Sequence, residues 1–376
     1  MTVYLDMNAT TPVLREVADL AVSLMVEEYG NAGSRTHIYG NNANRIVEKA
    51  RQQVADVVDS KKSEVIFTSG ATESNNIAIL GLREFAEKAN KKHIVTTRIE
   101  HKAILEPIDY LAQNGFEVSY LDVDNTGIVS PQALKSILRA DTVLVAIMHV
   151  NNETGSIQPI SEICDTLDGH DAYFLVDAAQ SFGKLSDGLK NKRIDMISAS
   201  GHKLYAPKGI GALIMRGRNS VKPPLKPIMF GGGQERKLRP GTLAVPLIAG
   251  FGLASEIAAK NAPQWQEHAG KLKSDLMTGL DKLGAKYNGE NTSPFVLNFS
   301  IPTVNSEAAM VALKEVAAAS NGSACTSSSY TPSHVLTSMG LDNDRISGAI
   351  RMSWSHATKS IPVKEITAKL ERLILL

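Results

Sequence analysis

Residues 173–203 read YFLVDAAQSFGKLSDGLKNKRIDMISASGHK and contain two strand-like runs that each lead directly into polar residues. The first run, Tyr173–Val176, is apolar and ends at Asp177, whereas the second, Ile194–Ser198, is soon followed by Lys203. Runs of this kind are typical of strands buried on both faces of a parallel sheet. Ligands of such sheets bind beyond the carboxyl ends of the strands, so the polar residues mark a candidate site.

The surrounding sequence repeats this pattern. Across Ser63–Arg216, short apolar runs alternate with helical patterns. The alternation predicts an α/β fold whose mostly parallel sheet is covered by helices on both faces. We assign residues 15–260 to a large domain of this kind. A smaller α+β domain would comprise residues 1–14 together with 261–376.

The pattern changes after Pro224, where the alternation stops. A Gly- and Pro-rich stretch leads into a long helical segment from about Val245 towards Leu283. A strand at Phe295–Ile301 and a helix at Ser306–Ala318 are predicted next, and a closing strand and helix follow. This mixture is typical of a separate α+β unit.

Composition excludes several classes of protein. With 40 basic and 39 acidic residues the net charge is +1, so we expect no direct binding of nucleic acid and no attraction to a membrane surface. No run approaches the ~20 apolar residues that a membrane span needs, and the N-terminus does not resemble a signal peptide. The two cysteines, Cys164 and Cys325, cannot build a disulfide framework and suit a reducing compartment, so a cytoplasmic protein is expected.

Three strand-end features carry the chemistry. Ser69–Ser74 follows the apolar run Val65–Phe67, and its small residues could offer backbone N–H groups to an anion, although simple helix capping explains them equally well. Asp177 could keep a pyridine nitrogen protonated, or it could lie in a surface turn. Lysines are usually solvated, but Lys203 beside an anion site could form a Schiff base with a carbonyl group. The three together are more specific than any one of them.

These residues belong to a set of motifs that resembles the cysteine desulfurases, in the class V aminotransferase family. The resemblance implies the type I pyridoxal-phosphate fold, with a sheet of the seven-stranded type. It covers almost the whole chain and rests on the ordered motifs Tyr4–Thr11, Gly30–Ser34, Ser69–Asn75, Glu100–Lys102, His149–Glu153, Asp177–Ser181, His202–Lys203, Arg239–Thr242 and Gly322–Ser327.

The resemblance implies roles for individual residues. Lys203 matches the lysine that carries pyridoxal phosphate, His101 matches the histidine stacked on its ring, and Cys325 matches the cysteine that accepts sulfur from L-cysteine. Arg351 matches the residue that binds the substrate carboxylate. The other positions that match cofactor contacts are Ala71, Thr72, Asn152 (which also matches a substrate contact), Asp177, Gln180, Ser200, His202 and Thr242.

Thr242 matches a threonine that reaches the phosphate of a partner subunit, so a homodimer is expected. A protein that accepts the sulfur is expected as a further partner. The remaining histidines lack metal-ligand spacing, so no metal is expected.

The two cysteines receive different interpretations. Free cysteine is more often a buried apolar residue than a nucleophile. Cys164 lies in the helical pattern Ile160–Leu167, which favours burial. Cys325 lies in the polar, glycine-containing stretch Asn321–Ser329, which favours an exposed thiol in the small domain.

Alternatives within the fold are a selenocysteine lyase and an aminotransferase, and the Cys325 motif argues against the second. A non-catalytic pyridoxal-phosphate-binding assembly partner is a rival of another class. The chain reads Ser355-His356-Ala357-Thr358 where family members often carry Gly-Arg-Phe-Thr. It ends at Leu376, whereas members that supply iron–sulfur cluster assembly generally continue with a tail. This ending resembles specialised desulfurases, including those that supply DNA phosphorothioation.

Overall fold

The computed structural model describes residues 2–218, 221–321 and 331–375. Cys325 and the whole of its motif, Gly322–Ser327, lie outside the described residues, so the structure does not address the prediction for this thiol. Within the described ranges, no helix is long and apolar enough to cross a membrane.

Strands and helices follow one another in the order that the sequence predicts over most of the chain. The strands are β1 (Val3–Tyr4), β2 (Val65–Thr68), β3 (His93–Thr97), β4 (Glu117–Leu121), β5 (Thr142–Ala146), β6 (Tyr173–Asp177), β7 (Met196–Ser200), β8 (Gly211–Met215), β9 (Lys286–Tyr287), β10 (Val296–Ser300), β11 (Ala317–Ala318) and β12 (Ile350–Ser353). The helices are α1 (Arg15–Val26), α2 (Ile38–Asp56), α3 (Ala71–Gly81), α4 (Arg83–Lys88), α5 (Lys102–Gln113), α6 (Pro131–Ile137), α7 (Ile160–Thr166), α8 (Val245–Asp281), α9 (Ser306–Leu313), α10 (His334–Ser338), α11 (Asn343–Ser347) and α12 (Val363–Ile374).

The central sheet has seven strands in the order β2-β8-β7-β6-β5-β3-β4. Strands β3 to β7 pair in parallel, which confirms the predicted mostly parallel α/β fold. Strand β8 runs antiparallel to both β2 and β7. The connection from β7 to β8 contains no crossover helix, and a return this short can join only antiparallel neighbours.

Both faces of the sheet are covered, as the apolar strands require. In β6, Phe174 and Val176 pack into a core shared with α2 and α8, whereas Leu175 packs into a second core shared with α3 and α5. Cys164 in α7 is 2% exposed, which confirms its predicted burial. Burial raises the pKa of this thiol to about 12, so it stays protonated and unreactive at neutral pH.

Two smaller sheets lie in the rest of the described chain. Strands β12, β10 and β9 form an antiparallel sheet, and β1 pairs in parallel with β11. The helix predicted at Ser306–Ala318 is wrong beyond Leu313, because Ala317 and Ala318 form β11 against the distant β1. A tertiary pairing thus overrides local helix propensity.

The domain boundary predicted at residue 260 falls inside α8, which is one continuous helix. The division into two domains therefore stays a prediction. The bridge between Asp6 and Ser353 and the pairing of β1 with β11 do tie the N-terminal residues to the C-terminal part of the chain.

Candidate active site

One cavity of about 1140 Å³ lies at the carboxyl ends of β2, β6 and β7. The predicted site residues that line it are Ala71, Thr72, His101, Asn152, Asp177, Gln180, Ser200, His202, Lys203 and Arg351. Thr242 does not line it and is exposed in the single chain. The structure therefore brings together the described residues that were predicted for one subunit, and the partner-directed role of Thr242 stays a prediction.

The anion-binding part of the cavity is the beginning of α3. The N-cap residue is Gly70, with φ at 157°, and no side chain caps the helix. Simple capping by the neighbouring Ser and Thr side chains is therefore not what the structure shows. A Cβ atom at Gly70 would lie 3.4 Å from Ser200 Oγ, so the start of α3 and the end of β7 lie side by side at the cavity. Uncapped N–H groups at a helix N-terminus bind phosphate well.

Asp177 ends β6 and is 6% exposed, so it is not the surface-turn aspartate of the alternative interpretation. Its Oδ2 accepts a hydrogen bond from Asn75 Nδ2 at 2.8 Å, and its Oδ1 accepts one from the Ala179 N–H at 2.9 Å. These bonds fix the carboxylate at the cavity wall. A carboxylate held in this way can pair with a protonated ring nitrogen.

Lys203 follows β7 in a short 3₁₀ turn, Gly201–Lys203. Its Nζ donates hydrogen bonds to the backbone oxygens of Asn8 and Ala9. Burial, with the Arg351 guanidinium nearby, lowers the pKa of this amine to about 8. A much larger fraction of Lys203 is therefore neutral and nucleophilic at neutral pH than of a solvated lysine.

The Gln180 amide is buried and only half of it is paired within the described part of the chain. Its Nε2 donates to the Asn8 oxygen at 3.0 Å, but its Oε1 is buried with no hydrogen-bond partner there. Buried polar groups in native proteins are nearly always paired, so this amide is the part of the cavity most obviously suited to a polar ligand.

Two histidines at the cavity are held by hydrogen bonds. His101 Nδ1 accepts the Ala103 N–H at 3.1 Å and caps α5, which leaves Nε2 to exchange protons with the cavity. The ring is open to the cavity, yet the surrounding protein desolvates it and lowers its pKa. Burial lowers the pKa of His202 to about 4, and its Nδ1 lies 3.2 Å from Thr10 Oγ1. Both rings are therefore neutral at pH 7.

Arg351 lies on β12 and faces the cavity from the other side. Its Nη2 donates to Asp6 Oδ1 at 2.8 Å and its Nη1 donates to the Asn152 oxygen at 3.0 Å. Its Nε is buried and has no hydrogen-bond partner among the described residues. A guanidinium with donor capacity left is suited to bind a carboxylate.

Pyridoxal phosphate fits this set of groups. The uncapped start of α3 offers N–H donors for a phosphate, Asp177 offers a carboxylate for a ring nitrogen, and Lys203 offers an amine of lowered pKa. The buried Oε1 of Gln180, to which no described residue donates a hydrogen bond, can accept one from a polar group of the cofactor. In the described ranges no three His, Cys, Asp or Glu side chains cluster in a way that could hold a metal ion.

Sequence reasoning gave no roles to several residues that shape this site. Asn75 lies in the motif that follows β2, and its place one turn along the helix from the anion site was the available signal. The carbonyl groups of Asn8 and Ala9 carry no side-chain signal at all. Glu100 is fully buried directly before His101 and belongs to a quoted motif, although nothing in its neighbours indicated burial.

Comparisons with known proteins agree with the geometry. Residues 3–365 match the family model Aminotransferase class-V. The mitochondrial cysteine desulfurase of Candida albicans is 44% identical over 366 residues, which cover 96% of this chain and 74% of that protein.

Two solved structures are also similar. DndA from Streptomyces lividans has a TM-score of 0.82 and 49% identity, covering 94% of this chain and 99% of that chain. The structure of SspA in complex with cysteine has a TM-score of 0.82 and 36% identity, covering 96% and 100%. The chain belongs to the aminotransferase class-V family and, within it, to the cysteine desulfurases, which depend on pyridoxal phosphate.

Proposed function

We propose that this protein removes sulfur from L-cysteine, releases L-alanine and holds the sulfur as a persulfide on Cys325. The observation that carries the proposal is the convergence of Asp177, Lys203 and Arg351 on one cavity. They provide an acid for a ring nitrogen, an amine that is partly neutral at pH 7, and a guanidinium for the substrate carboxylate. The likeness to the structure of SspA with cysteine supports this choice of substrate.

When bound, pyridoxal phosphate supplies an electron sink that stabilises negative charge next to the substrate amino group. Lys203 would carry it and Asp177 would hold its ring nitrogen. The start of α3 at Ala71 and Thr72 would hold the phosphate, together with Ser200 and His202. Gln180 and Asn152 would contact the ring, and His101 would stack on it.

The chain's own residues can also bind the substrate and move its protons. Arg351 would bind the cysteine carboxylate and orient its α-carbon towards Lys203. With a pKa of about 8, Lys203 can take the α-proton as a neutral amine and return it as an ammonium. His101 accepts the Ala103 N–H on Nδ1, so the neutral ring carries its proton on Nε2 and would donate it to the three-carbon product that sulfur transfer leaves.

Sulfur transfer needs Cys325 to reach the cavity. Ser320 pairs with Arg351 through the backbone, and Cys325 follows five positions later. Five residues of chain span at most about 18 Å, so covalent geometry allows contact with the substrate. The Cys325 thiolate would attack the substrate sulfur, forming an S–S bond while the Cβ–S bond breaks. The electron pair of that bond stays with the three-carbon product, which takes up a proton and leaves as alanine.

The proposal extends to partners and location. Thr242 is exposed away from its own cavity, which supports a homodimer with shared sites. The persulfide would pass to a protein acceptor, for iron–sulfur cluster assembly or for DNA phosphorothioation, and the likeness to DndA favours considering the second. A thiol that must stay reduced supports a cytoplasmic location. The amine of lowered pKa at Lys203 argues against a non-catalytic cofactor-binding protein.

Replacing the sulfur acceptor tests the function directly. Cys325→Ser should still bind pyridoxal phosphate and still change its spectrum on addition of L-cysteine. It should form almost no alanine, because a hydroxyl is a far poorer nucleophile towards sulfur than a thiolate. Cys164→Ser, which changes the buried cysteine, is the matched control and should behave like the wild type.

Mass spectrometry after reaction with L-cysteine should find one extra sulfur on the wild-type peptide that contains Cys325. An unmodified peptide, with normal alanine formation by Cys325→Ser, would contradict the persulfide mechanism. It would favour release of sulfide by a lyase, a class that includes the selenocysteine lyases.

A further inference from the structure

The described chain on both sides of Cys325 is anchored to one turn, residues 151–155. Upstream, Ser320 and Arg351 exchange backbone hydrogen bonds of 3.0 and 2.7 Å, and Arg351 Nη1 donates to the Asn152 oxygen at 3.0 Å. Downstream, the Ser333 hydroxyl donates to Glu153 Oε2 at 2.5 Å. Two adjacent residues, Asn152 and Glu153, therefore hold the two flanks of the segment that carries the thiol.

This turn is rigidly connected to the central sheet. Asn151 Oδ1 accepts the N–H groups of Glu153 and Thr154 at 2.8 and 3.0 Å, and Asn151 Nδ2 donates to the Ile99 oxygen at 3.1 Å. Gly155 has φ at +79°, and a Cβ there would lie 2.4 Å from Val296 Cγ1. Position 155 is therefore limited to glycine by backbone conformation and by close packing.

Other residues join the turn to the remainder of the site. The His149 N–H donates to the backbone oxygen of Asp177 at 2.9 Å, so the turn emerges beside the acid of the cofactor site. From the antiparallel sheet, Asn298 Nδ2 donates to the Glu153 oxygen at 3.2 Å. The turn thus contacts the elements that hold the cofactor groups and the elements that flank Cys325.

Glu153 is only 5% exposed and lines the cavity. Burial raises the pKa of its carboxyl, and the bond from Ser333 with the nearby His334 and Arg351 opposes this rise. Burying a carboxyl costs free energy that an apolar residue would not. The carboxyl holds Ser333 in place through the hydrogen bond from its hydroxyl. The same hydroxyl accepts the Leu336 N–H at 3.2 Å and caps α10, so Glu153 also fixes the start of that helix.

We propose that Glu153 is a positioning residue for sulfur transfer, which acts through Ser333 to fix the chain downstream of Cys325 against the turn that also holds Arg351. The inference rests on the proposed function, because it needs Cys325 to accept sulfur. The carboxyl acts as a hydrogen-bond acceptor, so an amide oxygen can replace it. Cofactor binding and the reaction of substrate with the cofactor depend on other side chains and do not need the bond.

The test compares Glu153→Ala and Glu153→Gln, and Ser333→Ala and Ser333→Thr, in the holoenzyme. The rate of persulfide formation on the Cys325 peptide is measured by rapid quench and mass spectrometry. This rate should fall about 10- to 100-fold in both alanine variants. It should stay within about threefold of wild type in the glutamine and threonine variants, which keep the hydrogen bond. The spectral change on adding L-cysteine should stay within about twofold of wild type in all four.

Two further measurements separate positioning from general destabilisation. Amide hydrogen exchange of His334–Ser338 should be faster in Glu153→Ala but not in Glu153→Gln, whether or not the cofactor is bound. The double variant of Glu153 and Ser333 to alanine should be no slower than Ser333→Ala alone, because Ser333→Ala already removes the Glu153–Ser333 bond together with the cap of α10. Ser130→Ala, which removes the side-chain cap of the remote helix α6, is the matched control and should leave the transfer rate unchanged.

The other possible results would refute either the positioning role of Glu153, its hydrogen bond as the cause, or the proposed function itself. Wild-type persulfide formation by Glu153→Ala would refute the positioning role, and so would a parallel loss of the spectral change. Equal losses in Glu153→Gln and Glu153→Ala would refute the hydrogen bond as the cause. If the wild-type holoenzyme itself leaves the Cys325 peptide unmodified, the proposed function is wrong, and that result is distinct from those of the variants.

Discussion

The buried carboxyl of Glu100 predicts how the stability of the protein changes with pH, and by how much. The side chain is fully buried, and Oε1 accepts hydrogen bonds from Thr97 Oγ1 at 3.0 Å and from the Met148 N–H at 2.8 Å. Oε2 has no partner among the residues that the structure describes. Burial, with a smaller contribution from the charge of Asp177, raises the pKa of this carboxyl from 4.5 to about 8. Glu100 is therefore a neutral acid in the native protein at pH 7, directly before His101.

This shift makes the stability depend on pH with a definite sign. Between pH 4.5 and 8 the folded protein keeps a proton on Glu100 that the unfolded chain has lost, so the contribution of Glu100 to stability falls as pH rises. Through Glu100, the free energy of unfolding falls by about 1.4 kcal/mol per pH unit in this range. The loss relative to pH 4.5 is roughly 3 kcal/mol at pH 7 and roughly 5 kcal/mol above pH 8. Below pH 4.5 both states are protonated and the penalty vanishes.

Glu100→Gln removes the ionisation and keeps an acceptor for Thr97 and Met148. Its new amide N–H₂ would be buried where Oε2 has no partner, at a cost of about 1–3 kcal/mol that does not depend on pH. We expect the variant to be less stable than wild type near pH 5 and more stable near pH 8. The difference between the two proteins should change by roughly 1.4 kcal/mol per pH unit in between.

Thermal unfolding midpoints of the holoenzymes, measured from pH 5 to pH 8.5, would test this. Groups that titrate equally in both proteins cancel in the difference. Glu290→Gln, at an exposed acid, is the control and should show no such trend. Parallel curves for wild type and Glu100→Gln would show that Glu100 is ionised in the native protein and would refute the reasoning.

Three other predictions concern the cofactor site. Cofactor binding is measured from the visible absorption band of bound pyridoxal phosphate. Lys203→Ala should be colourless and inactive. A wild type that takes up no pyridoxal phosphate would contradict the cofactor assignment. Asn75→Ala removes the hydrogen bond to Asp177 Oδ2 and should weaken cofactor affinity in titrations by about 10- to 100-fold. Its control, Asn76→Ala, changes a side chain that bonds only the helix carbonyl of Thr72 among its described contacts. Mixed Lys203→Ala and Thr242→Ala subunits should regain activity through heterodimers, and a fully active monomer in ultracentrifugation would contradict the shared site.

The rule that ligands bind at the carboxyl ends of parallel strands explains why so much of the site could be predicted. Asp177 and Lys203 follow neighbouring strands that pair in parallel, so their strand ends had to meet at one edge of the sheet. Ser69–Thr72 follows β2, which pairs antiparallel with β8, and β8 is itself antiparallel to β7. Strand β2 therefore runs in the same direction as β7, and its carboxyl end lies at the same cavity. The apolar runs made these strands visible in the sequence.

The features that could not be predicted depend on contacts between distant parts of the chain. Strand β4 lies at the edge of the sheet and is largely exposed or half-buried, so its sequence Glu117–Leu121 contains no apolar run to reveal it. Strand β11 consists of two alanines that are helical by propensity and extended only because β1 pairs with them. Glu100 has ordinary neighbours in sequence, and its burial follows from the packing of β3 against β5.

The N-terminal segment shows what such contacts contribute to the chemistry. The Asn8 oxygen accepts hydrogen bonds from both Lys203 and Gln180, and Ala9 gives Lys203 a second carbonyl acceptor. Burial and the nearby Arg351 lower the pKa of Lys203, the charges of Asp6 and Asp177 oppose them, and the balance leaves it at about 8. A lysine without the two carboxylates would return a proton poorly, and one without the burial would hold its proton too tightly. The N-terminal segment supplies Asp6 and the two carbonyl acceptors that hold the amine, so it is as much a part of the proposed acid–base chemistry as the side chains that the motifs revealed.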